Sequence, residues 1–172
     1  MALGAVAATV LGVIFVLIFL DSGANRGLVT LRDSRSYPAG TVTHVPESGF
    51  FFVRLGNDLL ALVDLDAANQ GQAGRRCRVR AVGIGEGTAG SAAEYEASLS
   101  PEARGTTLVL AEDCNSAVYD IAGTRLDADG PNLDRFRVSL DRRGRVVVHT
   151  EDRECTRREG SELRLQRDCG PE

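Results

Sequence analysis

The sequence predicts a mostly β domain preceded by one transmembrane helix. Three observations predict it: an uncharged apolar run at residues 2–20, a train of short hydrophobic runs cut by Gly and Asp turns, and four cysteines with no CxxC pair among them. Four segments follow: an anchor at 1–20, a polar linker at 21–40, a β domain at 41–150 and a charged C-terminal extension at 151–172.

Ala2 to Leu20 reads ALGAVAATVLGVIFVLIFL, with no charge, Pro, Asn or Gln. At about 1.5 Å rise per residue, roughly 20 such residues cross the hydrocarbon core of a bilayer. A charged side chain there would cost several kcal/mol, which is why so clean a run points to lipid. The competing reading is a cleaved signal peptide, with Ser22-Gly23-Ala24 as a small-residue site. The length of the run and the missing basic segment before it favour the anchor. Gly4, Ala8 and Gly12 recur at four-residue spacing and share one helix face. Such a small-residue stripe lets membrane helices approach closely, so the expected partners are the bilayer and other subunits of a membrane complex. The alternative is that small residues merely populate an undemanding anchor.

The β reading rests on runs of strand length. Phe50 to Leu55 (FFFVRL) and Leu59 to Leu65 (LLALVDL) flank Gly56-Asn57-Asp58 and form a hairpin. Arg78 to Val82, Thr106 to Ala111, Val118 to Ile121, Phe136 to Leu140 and Arg145 to His149 continue the series, the last two joined by an Asp141-Arg142-Arg143-Gly144 turn. Short strands at this spacing predict a sandwich or barrel. Residues 83–105 interrupt the pattern with a Gly-rich loop and an Ala/Glu stretch. There Ser100-Pro101 predicts a helix start and Gly105 a stop. GIGEGT within it lacks the Lys and the strand–turn–helix context of a phosphate loop.

Net charge is −4, which argues against nucleic acid as a partner. All 20 basic residues are Arg, a sign of coding bias more than of chemistry. Zinc ribbons require close cysteine pairs, and Cys77, Cys114, Cys155 and Cys169 offer none. An even count beside an anchor predicts two disulfides and an oxidising compartment. The competing reading is four buried free thiols in the cytosol. Cys155 and Cys169 lie close together, and a bridge between them would staple a tail too short for a core of its own. Arg26, Arg32 and Arg35 after the apolar run would hold the domain on the cytoplasmic side. The cysteines favour the extracytoplasmic side, and long domains translocate despite such charges.

The order of elements around Cys77 and Cys114 resembles the Rieske iron–sulfur domain. Cys114 to Asp120 reads CNSAVYD, where that family has Cys-His-Gly-Ser-x-Tyr-Asp. Gly123 matches the following turn, Gly130-Pro131 the loop that covers the cluster, and Phe136 to Val148 the closing strands. The resemblance implies a Rieske-like antiparallel β sandwich with a small loop subdomain over roughly residues 40 to 150. Carried over position by position, the cluster ligands fall on Gln72, Gly74, Glu112 and Asn115. A Rieske cluster needs two thiolates and two imidazoles, and none of these four can serve. The family's loop-bridging disulfide falls on Cys77 and Cys114, so the resemblance implies that this pair is bonded. The alternative is a chance likeness with two unpaired core thiols.

Other sites are weaker. Asp127, Asp129, Asn132 and Asp134 offer oxygens at calcium-like spacing without the distal Glu of an EF-hand, which favours a solvated turn. His44 and His149 have no Ser or Cys in evident register for a hydrolase triad. Arg75-Arg76 forms a basic loop tip beside Cys77. The expectation is a protein with no cofactor, metal or enzymatic activity: a cluster-free, Rieske-like accessory or structural subunit of a membrane electron-transport complex, respiratory or photosynthetic. The alternative is an independent, anchored extracytoplasmic binding module using residues 83–105 as its contact surface.

Overall fold

The computed structural model describes residues 27–66, 77–84, 95 and 98–169. The strands are β1 (Leu28–Asp33), β2 (Thr41–Val45), β3 (Phe50–Leu55), β4 (Asp58–Val63), β5 (Val79–Gly83), β6 (Leu108–Glu112), β7 (Val118–Tyr119), β8 (Gly130–Pro131), β9 (Arg135–Leu140), β10 (Arg145–Glu154), β11 (Thr156–Glu159) and β12 (Glu162–Gln166). They form a six-stranded sheet in the order β1-β10-β9-β4-β3-β2 and two three-stranded sheets, β5-β6-β7 and β12-β11-β8. All pairings are antiparallel.

The hairpins follow their turns. β3 and β4 close through Gly56-Asn57, with Leu55 opposite Asp58. Gly56 takes φ of +58°, a conformation that glycine adopts without a Cβ penalty. β9 and β10 close through the Asp141–Gly144 turn, where Asp141 accepts from the amides of Arg143 and Arg145. β10 then runs on beyond the expected strand. Its register against β9 jumps between His149 and Arg153, a bulge after which Arg153 faces Phe136.

The six-stranded sheet curls around its own concave face. Phe50, Phe52, Ala61, Val63, Phe136, Val146 and Val148 are buried there, joined by Val29, Leu31, Val45 and Tyr37 from the edges. Every strand of the sheet contributes to this one core. Phe50 and Phe136 meet edge-on at 6.0 Å across the intervening strand β4. The other face of β3 and β4 carries Phe51, Val53, Leu55 and Leu62. These pack on Val79, Val109, Leu110, Val118, Tyr119, Ile121 and Leu133 of the small sheet and its loops.

Several expectations are corrected. The predicted fold was a sandwich preceded by a transmembrane helix. The described fold is instead a curled sheet with two small sheets attached. No helix among the described residues is long and apolar enough to cross a membrane. Ala2 to Leu20, with the Gly4, Ala8 and Gly12 stripe, lies outside the described residues. Part of the expected linker is β1, which pairs with β10 from Leu28↔His149 to Asp33↔Arg145 because Val29 and Leu31 alternate into the core. The expected C-terminal tail is not separate either. Glu151 to Glu154 complete β10, and the β11–β12 hairpin pairs with β8. The helix expected after Ser100 is one 3-10 turn, Pro101–Ala103, without a side-chain cap. The Ser100 amide donates to Asp120 instead.

Deleting a ring from the concave core leaves a cavity that a curled sheet cannot collapse into. Phe52→Ala is expected to cost about 3–5 kcal/mol in urea denaturation, whereas Leu140→Ala, at the exposed end of β9, changes stability by about 0.5 kcal/mol or less.

Candidate functional site

The small sheet presents the two segments that the Rieske resemblance singles out. Cys77 precedes β5, and Cys114 lies in the turn between β6 and β7. They are bonded, with Cα atoms 5.5 Å apart. Cys155 and Cys169 form the second bridge. Both bridges join the cysteines paired in the sequence reading. Cys77 and Cys155 are buried, while Cys114 and Cys169 are exposed.

Glu112, at a cluster-ligand position of the resemblance, has a buried side chain. Its carboxylate accepts from the amides of Cys114 and Asn115, both at 2.5 Å. One side chain therefore satisfies the two donors at the mouth of the turn, a charge-assisted arrangement stronger than a neutral pair. Asn115 at the tip is exposed. Ser116 takes φ of +61° where the family motif has Gly. Neither Glu112 nor Asn115 offers the thiolate or imidazole that a Rieske cluster requires, so the described half of the ligand set does not fit that group. Gln72, Gly74, Arg75 and Arg76 lie outside the described residues, as does most of the 83–105 insertion.

The Tyr-Asp…Gly series is a structural lock. Tyr119 is buried and donates its hydroxyl to Asp66 Oδ1 at 2.6 Å. Burial foremost, and then the Asp66 charge, pushes the phenol far above its ordinary range, so it stays a donor. Asp120 Oδ1 accepts from the amides of Ala122 and Thr124, and its Oδ2 accepts from Ser100. Gly123 has φ of +83°, and a Cβ there would stand 3.0 Å from Leu62.

Each of the four calcium-like residues is engaged by a protein donor. Asp127 accepts from Arg125 and from the Val118 amide. Asp129 accepts from the Gly160 amide. Asn132 accepts from the Arg125 amide and donates to Thr156 and to the Leu163 carbonyl. Asp134 pairs with Arg167 at 2.6 Å. Residues 127–129 form an exposed turn, as expected, while Asn132 and Asp134 are buried and seat the β11–β12 hairpin. Gly130-Pro131, expected to cover a cluster, is β8 and pairs with Arg157 and Arg158.

The histidines lie apart. His44 stacks on Phe51 at 4.4 Å and points Nε2 at buried Asp64, which also takes Arg78 at 2.6 Å. His149 touches a serine, which the sequence reading missed because the register is diagonal across β9 and β10. Ser139 Oγ lies 2.9 Å from His149 Nε2. Arg137 Nη2 lies 3.2 Å from Nδ1 and can only donate. The neutral ring therefore carries its proton on Nε2 and donates it to Ser139. A general base needs the opposite polarity, so this pair is not a nucleophile and its base. Arg137 is held in turn by Asp152.

No protein-family model matches the chain, and neither the curated proteins nor the solved structures contain a match to it.

Two outcomes follow from these locks. Ser116→Gly removes a left-handed serine and is expected to stabilise by about 0.5–1 kcal/mol in thermal or urea denaturation. The alkaline limb reports Tyr119. Its folded pKa is raised, so the stability it confers is complete below the unfolded value of about 10 and falls as pH rises above it. The chain has no lysine and three tyrosines, so few other groups titrate there. Stability measured from pH 9 to 12 should fall more steeply in the parent chain than in Tyr119→Phe, by up to about 1.4 kcal/mol per pH unit.

Proposed function

We propose that this chain is a cluster-free, Rieske-like protein that serves as a non-catalytic accessory or structural subunit of a membrane electron-transport complex, its two disulfides formed in an oxidising compartment. One observation carries the reading. The Cys77–Cys114 bridge ties the β6–β7 turn to the residue before β5, the pairing that the resemblance implies, while Glu112 puts a carboxylate where the resemblance would place a cluster thiolate. The bridge fixes the β6–β7 turn to the residue before β5, and Glu112 closes the turn through the amides of Cys114 and Asn115.

Supporting chemistry comes from the compartment and the histidines. Disulfides persist where thiols are not continuously reduced, which favours a position outside the cytosol. His149 is oriented as a donor to Ser139, and His44 is engaged by a buried carboxylate, so neither favours catalysis.

Two measurements on protein isolated from native membranes test the proposal. Elemental analysis and electron paramagnetic resonance of the reduced protein are expected to show no stoichiometric iron. Native electrophoresis is expected to show the chain migrating with cofactor-bearing subunits. A Rieske-type resonance would overturn the cluster-free assignment; migration alone, free of any cofactor-bearing protein, would overturn the accessory role.

A further inference from the structure

Cys77 Sγ, Cys114 Sγ and a carboxylate oxygen of Glu112 all lie within 4.8 Å of one another. Among the described residues no other trio of Cys, His, Asp and Glu donors converges in this way. In the bridged state the sulfurs are bonded to each other and are poor ligands. We propose that reduction of the Cys77–Cys114 bridge converts this point into a binding site for a thiophilic divalent cation of the zinc type, with two thiolates and the Glu112 carboxylate as protein ligands and water in the fourth position.

The geometry favours such a conversion. Thiolates on a tetrahedral zinc ion at about 2.3 Å stand about 3.8 Å apart, so the freed sulfurs need to part by less than about 2 Å. Their backbones are already close, at 5.5 Å between Cα atoms. Glu112 is aimed before any ion arrives. The amides of Cys114 and Asn115 hold its two oxygens, and each oxygen keeps a lone pair for a cation. Amides that steady a ligand in this way are the second shell on which metal affinity depends. Cys77 and Glu112 are buried and Cys114 is exposed, which makes one side of the site dry and the other open to an entering ion and its water. The site differs from the Rieske ligand pattern: both sulfurs come from the bridging cysteines, and Glu112 is the one cluster-ligand position it uses.

The redox step balances with a dithiol or a phosphine as reductant. A dithiol attacks the exposed sulfur of Cys114, and its second thiol then displaces that sulfur. The S–S bond of the protein breaks, the reagent is left as its own disulfide, and two protein thiols result. With a phosphine, phosphorus takes oxygen from water to become the phosphine oxide, and the water protons end on the two sulfurs. Binding of the cation then releases both thiol protons.

Cobalt(II) titration of the full chain reads the site directly. After treatment with a water-soluble phosphine, one Co2+ per chain is expected, with a thiolate-to-cobalt band in the near ultraviolet and the visible bands of a tetrahedral ion. Zinc should displace it. Without reductant the bands should be absent. Cys77→Ser should abolish them, Glu112→Gln should weaken affinity at least tenfold, and Cys155→Ser with Cys169→Ser should leave them unchanged. Cadmium-113 resonance of the unmutated reduced chain gives an answer independent of any variant, since a mixed sulfur–oxygen site and an all-sulfur site differ widely in shift. The proposal is overturned if no band forms on reduction, if the band follows Cys155 and Cys169, if Glu112→Gln binds as well as the parent, or if cadmium reports sulfur ligands only.

Discussion

β3 is buried on both faces, and the rest of the domain is arranged to cover it. Phe50 and Phe52 face the concave side, while Phe51, Val53 and Leu55 face the small sheet. Burying a side chain of this size is worth about 1.5–3 kcal/mol, so these five contribute on the order of 10 kcal/mol, as much as the net stability of a typical domain. An antiparallel sheet ordinarily leaves one face to water. Here it cannot, because FFFVRL puts large apolar groups on both. The sheet must curl to cover one face, and the small sheet must dock to cover the other. The subdomain that carries Cys77 and Cys114 is therefore an obligatory half of the core rather than an appendage.

Docking that subdomain brings loops into the interior, and loops bring unpaired amides with them. Buried acids meet this demand. Glu112 takes the amides of its own turn, Asp120 takes those of Ala122, Thr124 and Ser100, and Asp66 takes the Tyr119 hydroxyl. An unsatisfied buried donor costs about 1–3 kcal/mol, and hydrogen bonds to charged groups contribute more than neutral ones, so one carboxylate per turn suffices. On the proposed reading, the carboxylate that accepts the turn's amides and the bridge beside it are what would keep such a fold closed without a metal.

Much of this was legible in the residues. The β3–β4 hairpin, the β9–β10 turn, β5, β6 and β7 follow from runs of apolar residues between Gly and Asp turns. The cysteine pairing followed from a resemblance and from spacing. What escaped notice did so for identifiable reasons. β1 alternates only two inward residues, Val29 and Leu31, inside a polar flank, so its signal is too short to stand out. β11 and β12 are dominated by Arg and Glu, and they hold their place through Asn132, Asp134 and Arg167 rather than through apolar periodicity. The Ser139–His149 contact depends on a diagonal register that only the paired strands define. The role of Glu112 carries no local sequence signal, because which amides its carboxylate accepts depends on how the Cys114–Asn115 turn folds back.

The two bridges are unequal in what depends on them. In the chain-entropy picture the Cys77–Cys114 loop, with a separation of 37 residues, is worth about 4 kcal/mol, and the Cys155–Cys169 loop, with a separation of 14, about 3 kcal/mol. Each also has a non-covalent substitute. Opening the second leaves the hairpin seated by Asn132 and by the Asp134–Arg167 pair, whose arginine also reaches the Thr156 carbonyl. Opening the first leaves the turn closed by Glu112 and leaves β5 paired to β6 along five residues, from Val79↔Glu112 to Gly83↔Leu108. The β5–β6 ladder and the Phe51–Val53 core do not run through sulfur at all. These contacts, independent of sulfur, are what would hold the freed Cys77 and Cys114 thiols beside Glu112 after reduction.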